Sequence, residues 1–173
     1  MNAGHLHIMI NHFPVVGAFG ATLLLIWAWY RRNDELERAA LLVWVLVALS
    51  AVAAYVTGSF AEDVVDKIPG VSPATISSHD DAALFALIAA EIAGLWALAS
   101  LWSSWRSKPL RNWRRAVQLL MALAVCATMG WVASLGGRIL HPEARPGWAS
   151  SRMDGRLGVG PVASGDSKGH QSG

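Results

Sequence analysis

Histidine is the residue type in this chain best suited to chemistry. Of six histidines, His5, His7 and His12 cluster near the start, His79 and His141 follow much later, and His170 stands close to the end. Imidazole is the commonest protein ligand for Zn, Cu and Fe, and two imidazoles on facing helices hold a haem iron axially. Arg138, just before His141, suits a haem propionate, because guanidinium pairs well with carboxylate. Glu62 can join a metal's ligand set, and Glu62 or Asp80 can orient a ligating ring from behind. Whether any of this happens depends on which elements carry these residues and where those elements end.

Hydrophobic residues make up 54% of the chain and charged residues only 15%, against about 25% charged in an ordinary soluble domain. The net charge of +2 does not argue for nucleic acid, since the basic residues flank apolar segments. Cys126 is the single cysteine, which excludes an internal disulfide and a thiolate metal cluster. Four apolar stretches, about 8–30, 39–61, 82–102 and 116–137, are each long enough to cross the ~30 Å of hydrocarbon as a helix. Within lipid the backbone must close its own hydrogen bonds, and helices of this length do so. The expectation is an all-α polytopic membrane protein, a four-helix transmembrane bundle over 1–142. A flexible extracytoplasmic tail over 143–173, rich in Gly, Ser, Pro and Arg, follows it. No internal repeat is evident.

The start of the chain lacks the basic region of a secretory signal, so the first stretch reads as a retained helix. Gly17 and Gly20 within it would admit a neighbouring helix, and Pro14 would open or kink it. Arg31, Arg32 and Arg38 lie between the first two stretches. Arg106, Lys108, Arg111, Arg114 and Arg115 lie between the last two. The intervening loop is acidic. By the positive-inside rule both basic loops face the cytoplasm and both termini face outward, as expected for a bacterial inner-membrane protein. Trp27, Trp29, Tyr30, Trp102, Trp105 and Trp113 gather at the basic end like an aromatic belt.

This topology sends five histidines to the outward end. His12, His79 and His141 form the expected cofactor cluster, with Ser78 and Asp81 spaced like a capping box around His79. His5 and His7 contribute least, standing where a helix start frays, and His170 has no assigned role. The expected cofactor is haem b, or else Cu, Zn or Fe on the same residues with Glu62. The bland alternative is interfacial histidines bonded to water, headgroups or backbone carbonyls. Glu91 falls mid-way along the third stretch, where an ionised carboxylate is costly. It is either a proton or cation relay site or a protonated group facing Ser50, Gln118 or Thr128. No phosphate loop, dinucleotide fingerprint or nucleophile elbow is present, so the reading leans away from an enzyme.

The run His5-Leu6-His7-Ile8-Met9-Ile10-Asn11-His12-Phe13-Pro14, with His79-Asp80 and Gly136-Gly137 followed by His141, resembles an uncharacterised bacterial four-helix membrane family. Its members begin with a His-Pro-x-x-x-His-Phe-Pro pattern. The resemblance covers residues 5–142, and Ile8 stands where the family often has proline. It implies the four-helix fold and highlights the same histidines without naming a reaction. The function expected is a redox or metal-handling accessory of a respiratory-type system, with the lipid bilayer and other membrane redox subunits as partners. A cofactor-free assembly subunit and a small proton- or ion-coupled carrier using Glu91 remain the alternatives.

Overall fold

The structure is a computed structural model that describes residues 3–65, 72–106 and 112–140. It contains four helices, α1 (Ala3–Arg31), α2 (Asp34–Val65), α3 (Pro73–Trp105) and α4 (Asn112–Leu140). All four are long and apolar enough to cross a membrane, and the chain is a four-helix membrane protein. The acidic loop between α2 and α3 and the tail from 143 onward lie outside the described residues apart from their helical edges.

Each helix is longer than its apolar stretch, because polar residues extend it past the hydrocarbon. Asn33 starts α2 by accepting the backbone N–H groups of Glu35 and Leu36 on Oδ1, both at 3.0 Å. Asp34, Glu35 and Glu37 then occupy its first turn, where the helix dipole favours negative charge. The start of α3 differs from the capping-box expectation. Ser72 is its N-cap with extended backbone, Pro73 takes the first helical position, and Ser78 bonds back to the Ala74 carbonyl at 2.8 Å. Proline at that position has no N–H to waste and a pre-set φ, so it outcompetes the later serine. His79 therefore sits inside a helix rather than at its mouth. Pro14 likewise lies within the unbroken α1.

The helices form a ring in which α1 packs on α2, α2 on α3, α3 on α4 and α4 back on α1. This leaves α1 and α3 at opposite corners, and α2 and α4 at the other two. The interior is built from small side chains, among them Ala18 and Ala21 of α1, Ala51 and Ala54 of α2, Ala86, Ala90, Ala93 and Ala97 of α3 and Ala122 of α4. Large apolar side chains such as Phe19, Leu23, Leu49, Phe85 and Leu120 point outward. Lipid is as apolar as leucine, so close backbone packing of small residues holds the helices together. A Cβ on Gly17 would stand 2.9 Å from Val47 of α2, and one on Gly94 would collide with the Ala48 side chain of α2, whereas Gly20 meets nothing.

One end of the bundle, which carries Arg31, Arg32, Arg38, Arg106, Arg114 and Arg115, is called the arginine end below. Here Arg115 of α4 donates Nε to both Glu37 carboxylate oxygens of α2, at 2.9 and 3.0 Å. Its Nη2 lies 2.8 Å from Asp34. The bridge thus joins two opposite corners of the ring. The Glu37 side chain is 8% exposed and that of Asp34 56%, so only the first is costly to abandon. Chemical unfolding in a fixed detergent is expected to show Glu37→Ala losing about 2 kcal/mol, since it removes the buried one of the two carboxylates that Arg115 bonds. Asp34→Ala is expected to lose under about 1 kcal/mol.

Candidate functional site

At the opposite end, two imidazoles enter the bundle from opposite corners. His7 of α1 heads the face that continues through Pro14, Ala18, Ala21 and Leu25, all buried. His79 of α3 heads the face that continues through Ala86, Ala90, Ala93 and Ala97. Helical spacing puts each set on one side of its helix, so both rings are drawn inward by the stripe beneath them. The His79 ring lies within electrostatic reach of His7.

Each ring is seated on a glycine of the next helix. A Cβ on Gly58 of α2 would stand 3.2 Å from His7 Cε1, and a Cβ on Gly136 of α4 would stand 3.1 Å from His79 Cε1. Any larger residue would meet the ring. His7 Nδ1 donates to the Ala54 carbonyl at 3.1 Å and is 3.4 Å from the Thr57 hydroxyl oxygen. His79 Nδ1 is buried without a hydrogen-bond partner among the described residues. Ala54 precedes Gly58 by one turn, so the His7 seat pairs a carbonyl with a glycine, and the two seats share the glycine. An Nδ1–H held on a carbonyl leaves the Nε2 lone pair as the basic, ligating position of the ring.

The other expected site residues are placed differently. His12 is exposed, with Nδ1 2.6 Å from the Ile8 carbonyl of its own helix. Five residues turn an α-helix through about 140°, which carries His12 away from the inward face of His7. Glu62 is exposed on α2. Arg138 is partly buried, close to Gly136, and takes part in an interaction of its own. His141 lies outside the described residues. Among the described residues, no three His, Cys, Asp or Glu side chains gather as they would around a metal ion. Of the Gly136-Gly137 pair only the first is a seat, since a Cβ on Gly137 would meet nothing.

Glu91 is partly buried, with Oε1 enclosed and without a hydrogen-bond partner. It stands one turn before Gly94, which packs on α2. Ser50 and Thr128 donate instead to carbonyls of their own helices, at 2.8 and 2.9 Å.

His7, Gly58 and the Ala54 carbonyl were not singled out by the sequence. The signal that finds His7 is its register with Ala18 and Ala21, a stripe of small residues that His12 does not share. The seats predict a tautomer and its loss. Imidazole NMR of the protein in micelles is expected to show His7 protonated on Nδ1. Gly58→Val is expected to abolish that signal for His7 while leaving His79 in place.

Comparison with known proteins agrees with this architecture without adding a reaction. No curated protein and no solved structure matches the chain. A family model described as a predicted membrane protein, DUF2231, matches residues 4–141, which takes in all four helices together with His7, Gly58, His79 and Gly136. The chain is a member of the DUF2231 family of membrane proteins.

Proposed function

We propose that the histidine end of the bundle binds one haem b between His7 and His79, and that the protein is a redox accessory of a respiratory-type membrane system. The observation that carries this reading is the matched pair of inward imidazoles, each over a glycine of the neighbouring helix. Haem iron needs only two protein ligands, and neutral imidazoles supply them, His7 through the nitrogen that its backbone contact leaves basic. The buried residues in the turns next to the rings are small and apolar, Ala51 and Ala54 of α2 and Ala82 and Ala86 of α3. Arg138, two residues beyond Gly136, lies about 200° around α4 from the side that seats His79, so no propionate contact is assigned to it. A bound haem would carry one electron at a time between the ferrous and ferric states.

The residues of this chain would do the rest. His7 and His79 would hold the iron, and Gly58 and Gly136 leave room for the two rings against α2 and α4. The basic clusters at the arginine end support a reading in which that end is cytoplasmic and the histidines lie toward the outer face of a bacterial inner membrane. Among the described residues no histidine stands at the arginine end. Electron exchange would therefore take place on the outer side, with another membrane redox subunit, rather than across the bilayer. A bare Cu, Zn or Fe site has less support, because described ligands do not gather in threes.

Purification in mild detergent from haem-replete cells tests the reading. One haem per chain is expected, with a Soret band that falls to background in His7→Ala and in His79→Ala. His12→Ala is expected to keep it. A colourless wild-type protein, or a band that survives both substitutions, would overturn the reading in favour of a cofactor-free assembly role. Stoichiometric metal without porphyrin would replace haem by a metal centre.

A further inference from the structure

The arginine end carries a second feature, unconnected with the histidines. Helix α1 stops at Arg31 in a tight turn in which Arg32 N–H bonds the Trp29 carbonyl at 3.2 Å and Asn33 N–H bonds the Ala28 carbonyl at 3.1 Å. That pattern requires a left-handed residue at its corner, a position glycine normally fills. Here the corner is Arg32, with φ 51°, the only non-glycine residue of positive φ among those described. A branched backbone is thus held where it is disfavoured, and the side chain it carries leans over a cleft. The cleft, of about 410 Å³, is lined by Ile26, Trp29, Tyr30 and Arg32 of the α1 end and by Leu119 of α4.

The other described arginines of this end are already engaged. Arg31, Arg106 and Arg114 lie over the rings of Trp27, Trp102 and Trp113, at 5.6, 5.2 and 5.6 Å. Arg38 donates to the Ser104 carbonyl, and Arg115 to Glu37 and Asp34. Among the described residues Arg32 has no such side-chain contact. A cation without a counter-charge, beside two aromatic rings with a polar edge and above an apolar floor of Ile26 and Leu119, matches an amphiphile with an anionic head. Guanidinium binds phosphate oxygens in pairs, the aromatic rings belong at headgroup level, and the apolar floor continues the lipid-facing surface of α1 and α4.

We propose that this cleft binds an anionic phospholipid, with Arg32 gripping the headgroup phosphate and Ile26 and Leu119 receiving the start of an acyl chain. The left-handed backbone at Arg32 makes the test clean. Arg32→Gly and Arg32→Asn both suit that conformation, so neither threatens the turn while each removes the charge. Thermal stability is measured in micelles titrated with phosphatidylglycerol, with phosphatidylcholine and with inorganic phosphate. Wild-type protein is expected to be stabilised by phosphatidylglycerol well beyond phosphatidylcholine. Both variants are expected to match or exceed the wild-type melting temperature without lipid, yet to need roughly tenfold more phosphatidylglycerol for the same gain, as loss of one charged hydrogen-bond pair implies. Equal titrations for wild type and variants, or no preference for the anionic lipid, would overturn the site. An equal gain from inorganic phosphate would overturn the lipid as its occupant and leave a soluble anion in its place.

Discussion

An imidazole can enter a bundle of closely packed helices only where the helix it faces gives up a side chain. His7 and His79 both obey this constraint, each lying over a glycine, and His7 presents Nδ1 to the carbonyl one turn before its glycine. The remainder of the histidine end follows from it. The helices must approach closely, which the alanine-lined interior allows, and the rings must point inward, which the small-residue stripes below them enforce. A charged or unpaired ring there would be costly. The Ala54 carbonyl lowers that cost for one nitrogen of His7 and leaves the other as the chemically available atom.

The two seats also reveal an order in the bundle that spans its length. Glu37 precedes Gly58 by as many residues as Arg115 precedes Gly136, and these two residues meet in the ion pair at the far end. The hairpin α1–α2 and the hairpin α3–α4 are thus built on one plan, with a histidine on the first helix and a glycine on the second. Opposite charges occupy the matching positions at the base. Opposite corners of the ring are tied at one end by charge, and at the other end two opposite corners each carry an imidazole seated on the next helix. The sequence shows no internal repeat because the plan is carried by a few positions, while the lipid-facing majority only needs to be apolar.

What could be read from the sequence follows the same division. The four spans were legible because hydrocarbon thickness and backbone hydrogen bonding leave a long apolar helix as the solution. Their ends were not, because Asn33, Ser72 and Pro73 extend the helices through polar sequence. Grouping histidines by which end they reach singled out His79, and the family resemblance drew attention to Gly136 through the Gly-Gly pair. It favoured His12 over His7, since closeness to an end says nothing about the face of a helix. The Arg115–Glu37 bridge joins residues on helices that do not adjoin in the ring, and no local pattern announces it. Arg32 read as one more topology charge, because a left-handed φ is invisible in composition.

The central claim is that two imidazoles on opposite corners share one ligand. Low-temperature electron paramagnetic resonance of the oxidised protein addresses it most directly, because the signal reports how many strong-field ligands the iron has. The account predicts a low-spin ferric signal of bis-imidazole type that turns high-spin or vanishes when either His7 or His79 is replaced by alanine. A protein with no iron signal, or one whose signal ignores both substitutions, would contradict it.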